Sequence, residues 1–300
     1  MGTVNTVERA SSIAERASAV LAAEGYGTKV AKIAELATTL RGDLSPCPTY
    51  SAAIAEAIAK EPPPFDTAPY ATLYLESALD PRWMATSLLT NSEKEGDGSR
   101  RLWSLAACAL NDNERQQLKR HAADESKHSL MYLALLDLAF PNSVSPEFRL
   151  ELRQLSPGFS MHKALFPVPG SPYARVPTFD DYLQMNIAEI RTTIHHVLQR
   201  RALADHCPEE NRPALKRIQD RLLYDELAHV GYTAALIETL AASLDGANVV
   251  ALFLRRFQDF NRITREELGS NAFDCSVACC AKREWCRAKA SHAQTRFNDS

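Results

Sequence analysis

Two short segments of the chain place metal-binding side chains at metal-binding spacing. Asp124-Glu125-Ser126-Lys127-His128 and Asp225-Glu226-Leu227-Ala228-His229 share the pattern D-E-x-x-H. On a helix, residues three apart lie on one face with Cβ atoms about 5–6 Å apart, so one carboxylate and one imidazole can grip the same ion. Chance predicts about 0.03 copies of this pattern in a chain of this composition. A solvated helix face is an adequate account of one Glu-x-x-His, but a poor account of two in mid-helix. Oxygen and imidazole donors without thiolate suit iron or manganese better than structural zinc.

Each half-site needs a further carboxylate from the helix before it, at matching depth. Glu125 stands 14 residues after Asn111, where a turn is expected, and Glu95 stands 16 before it. Glu95 shares a helical face with Leu88, Leu102, Ala106 and Leu110. Glu93, the alternative, points nearly opposite, because two residues turn a helix by about 200°. Gly96 and Gly98 weaken a helix at this point. In the second pair, Glu226 lies 18 residues after Pro208 and Glu189 lies 19 before it. The candidate ligands are therefore Glu95, Glu125, His128, Glu189, Glu226 and His229. Four carboxylates turned into a helical core would repel one another and lose hydration, and two divalent cations cancel their charge.

Neighbouring residues complete the picture. A ligating histidine commonly donates its other N–H to a carboxylate, so Asp225 is expected to hold His128, and Asp124 to hold His229. His121, four residues before Glu125, lies on the ligand face. His196 shares the face of Glu189 and is a candidate pocket residue, with His195 near the edge. A largely apolar pocket walled by Leu118, Ala122, Tyr132, Leu133, Met185 and Leu222 is expected.

The elements that position these residues read as helices. The sequence is 45% hydrophobic and holds only 11 glycines, and few segments alternate as strands do, so an all-α protein is expected. Residues 5–60 read as two or three short amphipathic helices, broken at Glu61-Pro62-Pro63-Pro64. A short helix at about 67–79 precedes a long one from 81 to 110. Asn111 caps a helix that runs to Phe140, and Thr178 caps another that reaches about Asp205. Pro208 opens the last of the four, which ends near 243. The proline-rich stretch 155–178 is a long crossover, as a ferritin-like four-helix bundle requires. The expected division is an N-terminal helical extension at 1–65, the bundle at 66–250, and a C-terminal helix with a Cys-rich tail at 251–300. The seven cysteines read as thiols, and the spacing of the four in the tail matches no zinc module.

A net charge of −3 without a basic run gives nucleic acid no footprint. No apolar stretch is long enough to span a bilayer, and no secretory signal opens the chain, so a cytoplasmic location with no membrane or nucleic-acid partner is expected.

The run Glu95-x28-DESKH followed by Glu189-x35-DELAH resembles the doubled signature of ferritin-like di-iron oxygenases and oxidases. That group includes multicomponent hydroxylases, p-aminobenzoate N-oxygenase and the small subunit of ribonucleotide reductase. The resemblance covers about residues 81–243. It implies two iron ions (Fe2+/Fe3+), with manganese as the other choice, reacting with O2. The N-oxygenases add a histidine four before the ligand Glu of the last helix. Here that position is Leu222, so His121 becomes the candidate extra ligand on the other helix. Tyr132, four after His128, stands where the reductase subunit has its radical tyrosine. The implied function is an O2-activating oxidoreductase, a hydroxylase or an amine N-oxygenase, acting on a small organic substrate. Its implied partners are O2 and an electron donor, and a homodimer remains open. The alternatives are a radical-generating subunit and a ferritin-like iron oxidase or store.

Overall fold

A computed structural model describes residues 2–39, 45–159 and 166–268. The protein is all-α, with no strand among the described residues. The tail cysteines Cys275, Cys279, Cys280 and Cys286 lie outside the described residues, and Cys47, Cys108 and Cys207 are free thiols. No helix among the described residues is long and apolar enough to cross a membrane.

Ten helices follow in order: α1 Gly2–Ala23, α2 Lys29–Thr39, α3 Pro48–Lys60, α4 Ala68–Ser77, α5 Pro81–Cys108, α6 Asp112–Ala139, α7 Pro146–Leu152, α8 Phe179–His206, α9 Arg212–Ala241 and α10 Gly246–Leu268. Local chemistry sets their starts. The Asp80 carboxylate accepts from the Arg82 amide ahead of Pro81. Asn111 Oδ1 accepts from the Asn113 and Glu114 amides. Thr178 and Asp181 cap each other reciprocally. Pro208 does not open α9 as expected. It precedes a 3-10 turn, Glu209–Asn211, and the helix starts at Arg212.

Helices α5, α6, α8 and α9 are 28 to 30 residues long. They form two hairpins, α5 with α6 and α8 with α9, joined chiefly where α6 meets α9. Small polar residues let the first pair approach closely: Ser92 Oγ donates to the Ser129 carbonyl at 2.7 Å, and Ser99 Oγ to that of Ala122 at 2.5 Å. Helix α5 runs unbroken through Gly96 and Gly98. Tertiary packing outweighs the roughly 1 kcal/mol that each glycine costs. A Cβ on Gly96 would sit 2.1 Å from the Leu155 carbonyl oxygen, so the glycine admits the crossover against α5. Leu110, expected on the face of Glu95, lies past the helix end and is exposed.

Helices α1, α2, α3, α4 and α10 pack on the second hairpin. Helices α1 and α2 pack on α9, and α3 packs on α9 and α10. Tyr50 of α3 donates to Asn186 Oδ1 at 3.0 Å, and Asn186 Nδ2 donates to the Val230 carbonyl at 3.1 Å, tying three helices together. Asp180 at the start of α8 receives Arg255 and Arg256 of α10 at 2.9 and 2.8 Å. The division expected at 65 falls in the 3-10 turn Pro64–Asp66, and the one at 250 falls inside α10.

Candidate metal centre

All six candidate ligands come together at mid-depth between the two hairpins. Helix α6 brings Glu125 and His128, α9 brings Glu226 and His229, α5 brings Glu95, and α8 brings Glu189. Glu93 is exposed, so Glu95 is the residue of α5 that turns inward. The donor atoms of Glu95, Glu125 and His128 lie within 4.8 Å of one another, and so do those of His121, Glu125, Glu189 and His229. Glu125 belongs to both groups. Glu226 stands between the two imidazoles, its Oε1 3.3 Å from His128 Nδ1 and its Oε2 3.4 Å from His229 Nδ1.

These approaches are not hydrogen bonds. Both Glu226 oxygens and both inward Nδ1 atoms are buried without a hydrogen-bond partner among the described residues. Buried polar atoms are ordinarily paired, so four convergent orphans mark a place for a ligand. On the outside, His128 Nε2 meets Asp225 Oδ2 at 3.3 Å, and His229 Nε2 lies 3.7 Å from Asp124 Oδ2. Asp225 is steadied by Arg221 Nε at 2.6 Å and Asp124 by Lys127 Nζ at 2.8 Å. Both histidines turn Nδ1 inward, but only His128 is hydrogen-bonded to the carboxylate behind it; His229 Nε2 has Asp124 near it without a hydrogen bond.

The electrostatics follow from burying acids together. Burial, then the neighbouring Glu125 carboxylate, pushes Glu95 well above the usual range. Burial and Glu226 push Glu189 up to about 8. Burial acts on Glu125 in the same sense, but Glu95, His121 and His128 outweigh it and hold this carboxyl at about 2. Burial opposes charging His128 and His229, yet the surrounding carboxylates prevail and raise both. Without a cation, this crowding of acids favours the protonated form of Glu95 and Glu189. Two divalent cations would do the same work with four carboxylates and imidazoles as donors, and the donor set fits them.

A cavity of about 560 Å³ reaches this cluster from the gap between α5 and α8, exposing Glu95, Glu125 and Glu189 along its wall. Its lining corrects the expected pocket. Tyr132 and Met185 do line it. Leu118, Ala122 and Leu222 instead fill the hydrophobic core, and Leu133 is buried away from the cavity. The wall mixes aromatic and polar side chains, among them Tyr70, Tyr74, Trp83, Thr90, Gln184 and His195. Neither of the two adjacent histidines takes its expected place. His195 lines the cavity, its Nε2 in a hydrogen bond with the Tyr70 hydroxyl. Burial and the nearby Arg191 charge keep it neutral. His196 points inward, with Nε2 3.5 Å from Glu226 Oε1 and 3.4 Å from the Tyr132 hydroxyl. Tyr173 of the crossover also lines the cavity, its ring centroid 5.6 Å from the Arg101 guanidinium. Arg175 pins this segment to Asp181 through two contacts of 2.7 Å.

No signal in the sequence pointed to Tyr70, Tyr74, Trp83 or Tyr173. Tyr232 carried one, since it stands three after His229 on the same helical face.

No protein-family model matches this chain, and no curated protein or solved structure matches it either.

Proposed function

We propose that the chain is a ferritin-like di-iron protein that uses O2 to oxidise a small organic molecule, as a hydroxylase or an amine N-oxygenase. The observation that carries this reading is the convergence of Glu226 and the two inward Nδ1 atoms, buried and unpartnered, inside a ring of further carboxylates. Glu95 with His128, and Glu189 with His229, would each hold one ion, and Glu125 and Glu226 would serve both. Asp225 sets the tautomer and aim of the His128 imidazole, and Asp124 is the carboxylate nearest His229 Nε2. A pair of irons bound there would supply the redox chemistry for O2, with an external electron donor to restore them.

The cavity favours a substrate-oxidising enzyme over the other two roles. Its volume of about 560 Å³ lies within the range of small-molecule sites, and it opens onto Glu95, Glu125 and Glu189. An iron store or a radical subunit has no use for such a chamber. Tyr70, Tyr74 and Trp83 offer flat apolar surface to a substrate, and Tyr70 with His195 offers a hydrogen-bonding edge.

The reading is tested by anaerobic loading with Fe(II) followed by exposure to O2. Two irons per chain are expected, with O2 consumption that depends on an added reductant and becomes coupled to product when a suitable amine or C–H substrate is present. A chain that retains no iron ends the proposal. A stable tyrosyl radical by electron paramagnetic resonance would move it to the radical-subunit reading.

A further inference from the structure

The cavity beside the cluster carries charge in two layers. Helices α5 and α8 flank it, and each puts an acid and a cation on its wall: Glu95 and Lys94 from α5, Glu189 and Arg191 from α8. Consecutive helical residues differ by about 100° and rise by about 1.5 Å. Each cation therefore stands within about 3 Å of its acid along the helix axis and points another way. Burial follows the same division. Glu95 is half-buried where Lys94 is exposed, and Glu189 is buried where Arg191 is half-buried. The acids face the cluster, and the cations lie on the solvent side of the same space.

Few acids share this outer layer. Outside the cluster, the described lining holds one further acid, Asp181, and Arg175 already grips it through two contacts of 2.7 Å. Arg101, the third cation of the lining, is paired with Asp97 at 2.5 Å. The field of the other two reaches deeper into the cavity. Burial lowers the pKa of His195 first, and the charges of Arg191 and Lys94 lower it further. Two divalent cations in the cluster would cancel its four carboxylates, and the charge then left on the wall is positive.

We propose that the substrate is a small organic acid whose carboxylate is held between Lys94 and Arg191, with its uncharged part reaching inward past Glu95 and Glu189. A guanidinium meets a carboxylate through two parallel N–H donors, and an ammonium meets it as a point charge. A substrate carrying a free ammonium would face like charge at the same place. That the bound acid is oxidised rests on the two-metal reading above, whereas the anion site does not.

Calorimetric titration of the full chain tests this without turnover. The probes are phenylacetate, 3-phenylpropanoate and octanoate, each beside its primary amide, added to the metal-free chain and to the chain loaded with cobalt(II). At least one acid should bind in both states, about tenfold or more tighter than its amide. Arg191→Gln and Lys94→Gln should each weaken that acid about tenfold and leave the amide unchanged, and Arg191→Lys should keep part of the affinity. Acids that bind no tighter than their amides, or not at all, would overturn the proposal. So would an affinity that survives both Gln substitutions, including one that appears only with cobalt and therefore belongs to the metal. If one variant fails to fold by circular dichroism, the other decides alone. A chain that takes up no cobalt yet binds the acids through Lys94 and Arg191 ends the two-metal reading and keeps the anion site, so the two failures are distinct.

Discussion

Two of the carboxylates that helix α9 buries, six residues apart, are surrounded in opposite ways. Asp220 is 3% exposed, and Arg200 Nη1 and Lys216 Nζ each approach it at 2.7 Å, with Ser11 Oγ at 2.8 Å. Burial pushes its pKa up, but these partners outweigh burial and hold the carboxyl below its ordinary value. Glu226 is 0% exposed, and imidazoles of His128, His229 and His196 lie 3.3 to 3.5 Å from its oxygens without forming hydrogen bonds. One acid is neutralised by fixed cations of the chain, as a structural ion pair is. The other sits among titratable rings and further carboxylates, so its compensating charge must be exchangeable. That difference separates an acid that staples α1, α8 and α9 together from one whose surroundings could hold a metal ion.

Three measurements would break or sharpen the contrast. The largest effect is expected from Glu226→Ala, which removes a donor shared by both ions. Metal analysis should fall from two irons per chain to one or none, and an unchanged stoichiometry would end the assignment. Next comes the stability of the metal-free protein. Asp220→Ala leaves Arg200 without its acid and should cost about 3 kcal/mol in urea denaturation. Glu226→Gln removes a carboxylate compensated only by imidazoles that can release their protons, and should cost less than Asp220→Ala. Equal losses in the two variants would mean that both acids are structural.

The smallest signal is the pH dependence. The folded pKa of Asp220 is depressed, so its contribution is present above the unfolded value of about 3.9 and is lost as pH falls through the folded pKa. Glu189 has the opposite sign in the metal-free protein. Its folded pKa is raised to about 8, so its contribution is present below the unfolded value and is lost as pH rises through 8. Asp220→Asn should therefore flatten the acid limb of the stability profile, and Glu189→Gln the alkaline limb. Urea midpoints across the two limbs check both slopes, and a change of the wrong sign in either would contradict the charge assignments.

Much of this was legible in the residues themselves. Asn111 and Thr178 are caps whose side chains must bond to nearby amides, so their helices start where local chemistry says they start. Glu-x-x-His spacing puts two donors on one face whatever the rest of the chain does. The choice of Glu95 over Glu93 followed from a face shared with Leu88, Leu102 and Ala106, all buried. The cavity was not legible, because helical periodicity gives the relative directions of side chains but not the absolute rotation of a helix in its surroundings. Consecutive residues differ by about 100°, so a modest rotation of α8 was enough to give His195 the cavity wall and His196 the interior. Leu118 and Leu222 share the inward side of their helices with the acids, yet at their depth the helices close on one another and leave no space.

The all-α architecture and the two Glu-x-x-His pairs were written in the sequence by itself, because caps, breakers and i, i+3 spacing act within a turn or two of the chain. Which gap between helices became a chamber was decided only in three dimensions. Helices α5 and α8 are held apart while α6 and α9 close together, and side chains distant in sequence, Tyr70, Trp83, Tyr173 and His195, meet across the space that remains. Packing between elements sets such a space, and no single element carries it.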